Sequence, residues 1–234
     1  MSINYTPNFS TTRRNPKKIK YIIFHYTGMR SENKAINRLL NVKSKVSCHY
    51  FIKKNGQVIF MIPAFLEAWH AGKSKWKKDK SLNKYSIGIE IANKGHEFGY
   101  EKFSKMQILS LIKLSKYLIN KYKINKKNIL GHSDVAPLRK KDPGEKFPWE
   151  YLAKKNIGYW HNLNKNKLIK VRNKKCNKIL KNKFFIYLYK IGYSKKYKNL
   201  NHKHVIKAFQ RRFRPQLVNG IIDQECLFIS KNLA

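Results

Sequence analysis

Short apolar runs with strand character alternate along this chain with longer stretches of helical periodicity. Lys18-Ile-Lys-Tyr-Ile-Ile-Phe-His25 reads as a buried strand ending in a polar turn, Tyr26-Thr-Gly28. Residues 31–43 place Ala35, Ile36, Leu39 and Leu40 on one face, which predicts an amphipathic helix. Cys48-His-Tyr-Phe-Ile-Lys53 and Gln57-Val-Ile-Phe-Met-Ile62 flank Asn55-Gly56, a pair that favours a tight type I′ turn, so a β-hairpin is predicted. In Ser86-Ile-Gly-Ile-Glu-Ile-Ala92 the alternation puts Ile87, Ile89 and Ile91 on one face and Glu90 on the other. Residues 104–122 form the longest predicted helix, with Met106, Ile108, Leu109, Ile112 and Leu118 recurring at helical spacing. The run Asn128-Ile-Leu130 closes in a polar loop, 131–149, whose prolines prevent a regular helix. Strands mixed with helices imply an α/β domain: a central mixed β-sheet flanked by helices.

Past Trp149 the pattern changes. Residues 150–172 are rich in asparagine and lysine and read as containing a linker, 151–164. Val205, Phe209 and Phe213 then recur at helical spacing until Pro215, Asn219-Gly220 makes a turn, and Asp223 can cap a short closing helix with Leu227 and Ile229 inward. The expected organisation is an extension over 1–17, a main domain over 18–150, and a small three-helix module over 165–234. No internal repeat is evident.

Composition narrows the class without naming a partner. At 42% hydrophobic residues a packed core is expected despite a formal charge of +40. That charge draws the chain nonspecifically to polyanions. It reflects either compositional drift, since lysines spread along the whole chain among Asn, Ile, Tyr and Phe, or selection for an anionic partner. The three cysteines, Cys48, Cys176 and Cys226, are far apart and indicate no disulfide framework. No run has the apolar length of a transmembrane helix. The first residues show neither a secretory core nor a lipoprotein cysteine, so as written a cytoplasmic location is expected.

The chemistry gathers around 131–149. His132 and Asp142 are an imidazole and a carboxylate, both suited to zinc. His25, at the end of the first strand, can join them if the strand ends converge. A His-His-Asp set leaves the fourth tetrahedral position to water, the pattern of a catalytic zinc site; taken singly, strand-end histidines are as readily turn or core residues. Glu90 is a lone acid in an isoleucine-rich strand. It either faces solvent or serves as a general base that later returns its proton to a leaving amine. Lys140, two residues before Asp142, can steady an oxyanion, with Arg139 and Lys141 as competing neighbours.

These residues carry a resemblance. His25-Tyr-Thr27, Val46-Ser-Cys-His-Tyr50, Ala68-Trp-His-Ala-Gly72, Ser86-Ile-Gly-Ile-Glu90 and Gly131-His-Ser-Asp-Val-Ala-Pro137, followed by Arg139-Lys-Lys-Asp-Pro-Gly144 and Phe147-Pro-Trp149, resemble the type-2 zinc N-acetylmuramoyl-L-alanine amidases, in the family's order over roughly residues 18–150. The resemblance implies one zinc ion on His25, His132 and Asp142, a catalytic Glu90 and an assisting Lys140. It also implies cleavage of the amide between N-acetylmuramic acid, or its anhydro form, and L-alanine in peptidoglycan or muropeptide fragments. His49 and His70 match family histidines near the cleft and are candidate substrate contacts. Cys48 stands where some relatives carry a tyrosine, which leaves proton transfer to Glu90. Ala208-Phe-Gln-Arg-Arg-Phe-Arg-Pro215 and Gly220-Ile-Ile-Asp223 resemble the peptidoglycan-binding-like tail of the two-domain, AmiD-like branch. Many members of that branch are envelope lipoproteins, so a periplasmic or outer-membrane location is the alternative. A monomer is expected. Two rival readings stand beside the enzyme: a peptidoglycan-recognition protein that binds without cutting, disfavoured by the intact ligand set, and a nucleic-acid binder, for which no signature accompanies the charge.

Overall fold

A computed structural model describes residues 2–195 and 202–234. In chain order its strands are β1 (Ser2–Ile3), β2 (Phe9–Ser10), β3 (Tyr21–Tyr26), β4 (Tyr50–Ile52), β5 (Val58–Phe60), β6 (Glu67–Ala68), β7 (Lys75–Trp76), β8 (Asp79–Lys80), β9 (Ser86–Ile91) and β10 (Ile129–Gly131). The α-helices are α1 (Glu32–Leu40), α2 (Lys105–Tyr122), α3 (His132–Val135), α4 (Trp149–Lys154), α5 (Lys165–Val171), α6 (Lys178–Ile191), α7 (His202–Phe213) and α8 (Gln224–Leu233). Residues 196–201 of the tail lie outside the described residues.

The main sheet has the order β1-β5-β4-β9-β3-β10. β4, β9, β3 and β10 are parallel neighbours, and β5 returns antiparallel to β4 through the Asn55-Gly56 turn. The expected mixed sheet flanked by helices is therefore what the chain forms. Both faces of the sheet are covered, so its central strands are mostly apolar, the exception being the face of β9 that carries Ser86, Gly88 and Glu90. On one face Ile22, Phe24, Ile87, Ile89 and Ile91 pack against Ile108, Leu111, Leu114 and Leu118 of α2. On the other, Tyr21, Ile23 and Leu130 join Phe184, Leu188, Phe209 and Phe213 of the tail in one apolar cluster.

Local signals set the helix starts. The Ser31 side chain accepts from Lys34 N–H, Ser104 and Gln107 form a reciprocal capping box, and Asp223 caps α8 through Cys226 N–H. The α2 stripe differs from the one the sequence suggests. Met106 and Leu109 are 53% and 47% exposed, while Leu111 and Leu114 are buried. Apolar residues cover more of this helix than one face of a sheet can accept, and the sheet takes the stripe running through positions 108, 111, 114–115 and 118. The segment 151–164 is packed as well, since Leu152 and Ile157 are fully buried and Tyr159 nearly so. The tail also interlocks with the β7–β8 hairpin at Gly192, where the absence of a Cβ lets the Trp76 indole lie directly against the backbone.

Candidate metal centre and its cleft

The parallel strands β3, β9 and β10 end on the same edge of the sheet, where side chains from distant segments can meet. His25 is the next-to-last residue of β3, and the register pairs it with Glu90 of β9. Paired residues on adjacent strands point to the same face about 5 Å apart. The carboxyl group therefore stands beside the imidazole. β10 ends at Gly131, and His132 opens α3. Asp142 returns to this point because its loop folds back, its carbonyl accepting from Ser133 N–H at 2.8 Å. Gly131 makes that return possible: a Cβ there would lie 2.7 Å from the Pro143 ring.

Three acceptors converge in this corner. His25 Nδ1 lies 2.9 Å from His132 Nδ1 and 3.1 Å from Asp142 Oδ2, and His132 Nδ1 lies 3.0 Å from the same carboxylate oxygen. All three residues are buried. Hydrogen bonds on their far sides fix the ring tautomers. The Ser86 hydroxyl donates to the Leu82 carbonyl at 2.6 Å, so at 3.1 Å it accepts from His70 Nε2–H. His70 Nδ1 is then the acceptor for His25 Nε2–H at 3.0 Å, which leaves His25 Nδ1 without a proton. His132 Nε2 lies 3.2 Å from the Ala71 carbonyl and 3.3 Å from Arg139 Nη2; donation to the carbonyl bares His132 Nδ1 in the same way. Two lone pairs and a carboxylate oxygen thus face one another with no proton between them. A tetrahedral zinc ion with nitrogen and oxygen ligands separates its donors by roughly 3.3 Å, close to the spacing found. The donor set fits a metal ion.

Burial, and then the charge of His132, lowers the His25 pKa to about 4, so the ring is neutral at pH 7. Burial alone would raise the Asp142 carboxyl, but wherever His132 and His25 carry protons toward it they outweigh burial and hold it well below the usual carboxylate range. Glu90 behaves oppositely. Burial and the nearby Asp142 push it up to about 8 against the pull of Lys140, and its Oε2 is buried without a hydrogen-bond partner among the described residues.

A cleft of about 550 Å³ opens over this corner, lined among others by Trp69, His70, Glu90, Phe98, Lys140 and Asp142. Lys140 is partly buried in its wall, whereas Arg139 is engaged with the Ala71 and Lys73 carbonyls. Lys141 also reaches the cleft. His70 presents one edge to it and supports His25 with the other. His49 has no exposed surface and is absent from the cleft wall; its Nδ1 accepts from Gly88 N–H at 3.0 Å. Sequence reasoning misses the support given by Ser86 to His70, although a signal exists. Ser86, Gly88 and Glu90 share one face of β9, and two small residues in a row on a buried face leave room for a ring. A Cβ on Gly88 would collide with His70.

Comparison with known proteins places this site in context. The sequence pattern of the N-acetylmuramoyl-L-alanine amidase family matches residues 15–145, a span that holds every residue of the corner just described. The chain belongs to this family. It is therefore an amide hydrolase of cell-wall turnover. The amidase is 33% identical over 230 residues to the N-acetylmuramoyl-L-alanine amidase AmiD of Escherichia coli (strain K12), which covers 92% of this chain and 82% of the relative. It is 31% identical over 167 residues to the 1,6-anhydro-N-acetylmuramyl-L-alanine amidase AmpD of Haemophilus influenzae, covering 63% of this chain and 88% of the relative. The solved complex of E. coli AmiD with the substrate anhydro-N-acetylmuramic acid-L-Ala-D-γ-Glu-L-Lys superposes with a TM-score of 0.80 at 32% identity, covering 96% of this chain and 91% of that one. The AmiD likeness runs through the tail, beyond the family pattern.

Proposed function

We propose that this amidase holds one zinc ion on His25, His132 and Asp142 and uses Glu90 and Lys140 to cleave the amide between N-acetylmuramic acid, or its anhydro form, and L-alanine of the stem peptide. The observation that carries this reading is the convergence of three unprotonated acceptors beside a carboxyl group that titrates near neutrality. A zinc ion bound there supplies a Lewis acid that polarises the scissile carbonyl and makes water a better nucleophile. Glu90 accepts the proton of the attacking water and passes it to the departing L-alanine nitrogen, a role suited to a carboxyl poised at about 8. The Lys140 ammonium offsets negative charge developing on the carbonyl oxygen. The C–N bond breaks, the lactyl group leaves as a carboxylic acid, and the stem peptide leaves with a free amino terminus. His70 acts through His25 by holding its tautomer.

We read residues 18–150 as the catalytic part and 165–234 as the peptidoglycan-binding-like part, in line with a likeness to AmiD that spans both. Among the described residues no helix is long and apolar enough to cross a membrane. A cytoplasmic enzyme needs only soluble muropeptides, whereas an envelope enzyme must also act on intact wall. The test is mass spectrometry of zinc-loaded protein with a soluble muropeptide and, separately, with insoluble peptidoglycan, each beside a chelated control. Zinc-dependent release of a peptide with a free L-alanine terminus is expected from the muropeptide. An intact muropeptide after incubation with folded, zinc-bound protein would transfer the assignment to peptidoglycan recognition without cleavage.

A further inference from the structure

The metal centre leans on the tail of the chain. Two residues beyond His132 lies Asp134, which is buried and faces away from the cleft. One of its oxygens accepts from Gly131 N–H at 2.8 Å and from Arg212 at 2.6 Å, and the other accepts from the Tyr193 hydroxyl at 2.6 Å. A second amino group of Arg212 donates to the Ile129 carbonyl at 2.8 Å. Ile129 begins β10, an edge strand paired only with β3, so a side chain of α7 covers an acceptor of that strand. The guanidinium also lies 4.5 Å from the centre of the Trp149 ring. Trp149 in turn packs on Phe24 at 5.7 Å and on Phe147 at 4.8 Å. Phe24 precedes His25, and Phe147 closes the loop that carries Asp142. Arg212 therefore reaches, directly or through one ring, each of the three segments that bear the acceptors.

A buried charge is costly to keep, and an apolar side chain would pack among Trp149, Tyr159 and Phe213 without that cost. What arginine adds is direction. Its rigid fork fixes the spacing between the Ile129 carbonyl and the Asp134 carboxylate, and His132 lies between those two points. We propose that Arg212 and Tyr193 are positioning residues for the metal centre, setting where His132 Nδ1 stands relative to His25 and Asp142. The tail is then part of the centre's architecture. This inference rests on the assignment of His25, His132 and Asp142 as zinc ligands.

The test uses the full chain and reads zinc affinity by competition with a chromophoric chelator, together with the visible spectrum of the cobalt-substituted protein. Weak or absent zinc binding by the unmodified chain sinks the ligand assignment itself, whereas the variants address only the tail's hold on the centre. Arg212→Met keeps length and apolar packing but loses the fork; zinc affinity is expected to fall about 10–100-fold, with a changed cobalt band. Tyr193→Phe removes one hydroxyl and keeps the ring against Trp76; a loss of roughly threefold or more is expected. Phe184→Leu loosens the tail core away from the clamp and is expected to leave zinc affinity unchanged. Unmodified affinity and spectrum in Arg212→Met, or in Tyr193→Phe should Arg212→Met fail to fold, overturn the proposal. Equal weakening in Phe184→Leu overturns it too, because the effect would then be one of general stability.

Discussion

Two buried polar clusters flank His132 and share the same short stretch of chain. On the cleft side, His25, His132 and Asp142 turn three acceptors toward one point. On the tail side, the Asp134 carboxylate meets Arg212, Tyr193 and Gly131 N–H, each of which brings a proton. Both clusters withdraw charge from water, and both owe their geometry to β10. The difference lies in their donors. The Asp134 carboxylate is satisfied by the protein itself, as buried polar groups ordinarily are, while Arg212 Nε is left without a hydrogen-bond partner among the described residues. The cleft-side acceptors are not so satisfied, and their protons are drawn outward by Ser86, His70 and Ala71. Buried acceptors with no donor among them are what a cation site requires, so the contrast separates binding chemistry from scaffold within a few residues.

The largest effects should come from deleting one member on each side. His132→Ala removes a proposed ligand but strands no donor. The variant is expected to fold, to fall from one zinc ion per chain to none by metal analysis, and to lose all measurable turnover; a full zinc complement would remove His132 from the ligand set. Asp134→Ala, by contrast, strands the Arg212 charge in the interior. A loss of about 3–5 kcal/mol in urea unfolding is expected, typical of breaking a buried pair. If the two variants lose similar stability, the clusters do not differ in the way their donors suggest.

A smaller and more selective effect is expected at Glu90, which borders the acceptors without belonging to them. Glu90→Gln keeps the size of the side chain and removes its proton equilibrium. Turnover should drop about 10²–10⁴-fold while zinc stoichiometry and the cobalt spectrum stay unchanged. Near-normal turnover in this variant would mean that proton transfer runs through another group.

The cleft-side cluster was more legible in the sequence than the tail-side one. His25, His132, Asp142 and Glu90 each stand at a strand end, in a proline-bearing loop or in an apolar strand, and such placements are visible in single segments. Asp134 and Arg212 lie 78 residues apart, and their contact depends on how the tail docks. A local trace of it nevertheless exists. Val205, Ala208, Phe209 and Arg212 fall at i, i+3, i+4 and i+7 of one helix, so the arginine stands within an apolar stripe. Reading only the i, i+4, i+8 series through Phe213 passes over it, and 52 lysines and arginines in the chain hide any single one. The α2 stripe failed for the opposite reason: Met106 and Leu109 are apolar, but the sheet has no room for them.

Acid sensitivity gives the finest division between the clusters, and it should be measured with zinc removed. The His25 pKa falls to about 4 in the folded chain, through burial first and then through His132. Burial also holds His49 and His70 well below their ordinary value. Between about pH 6.5 and 4 the unfolded chain therefore binds more protons than the folded one, so folding stability must fall as pH falls through that window. Each such histidine contributes a slope of up to about 1.4 kcal/mol per pH unit. Asp142, held low, keeps its contribution until more acid conditions are reached. On the tail side Arg212 is held above its already high ordinary value, the lowering effect of burial being outweighed by Asp134, Tyr159 and Tyr193 together, and does not titrate in this range. Urea midpoints of the zinc-free chain from pH 7 to 5 should therefore drop steeply. Asp134→Ala should lower the whole profile and leave its slope intact, whereas His70→Gln should flatten the slope by as much as one histidine's share. A slope that His70→Gln leaves unchanged would mean that this ring is already protonated in the folded chain, and the relay of tautomers that bares His25 Nδ1 would lose its support.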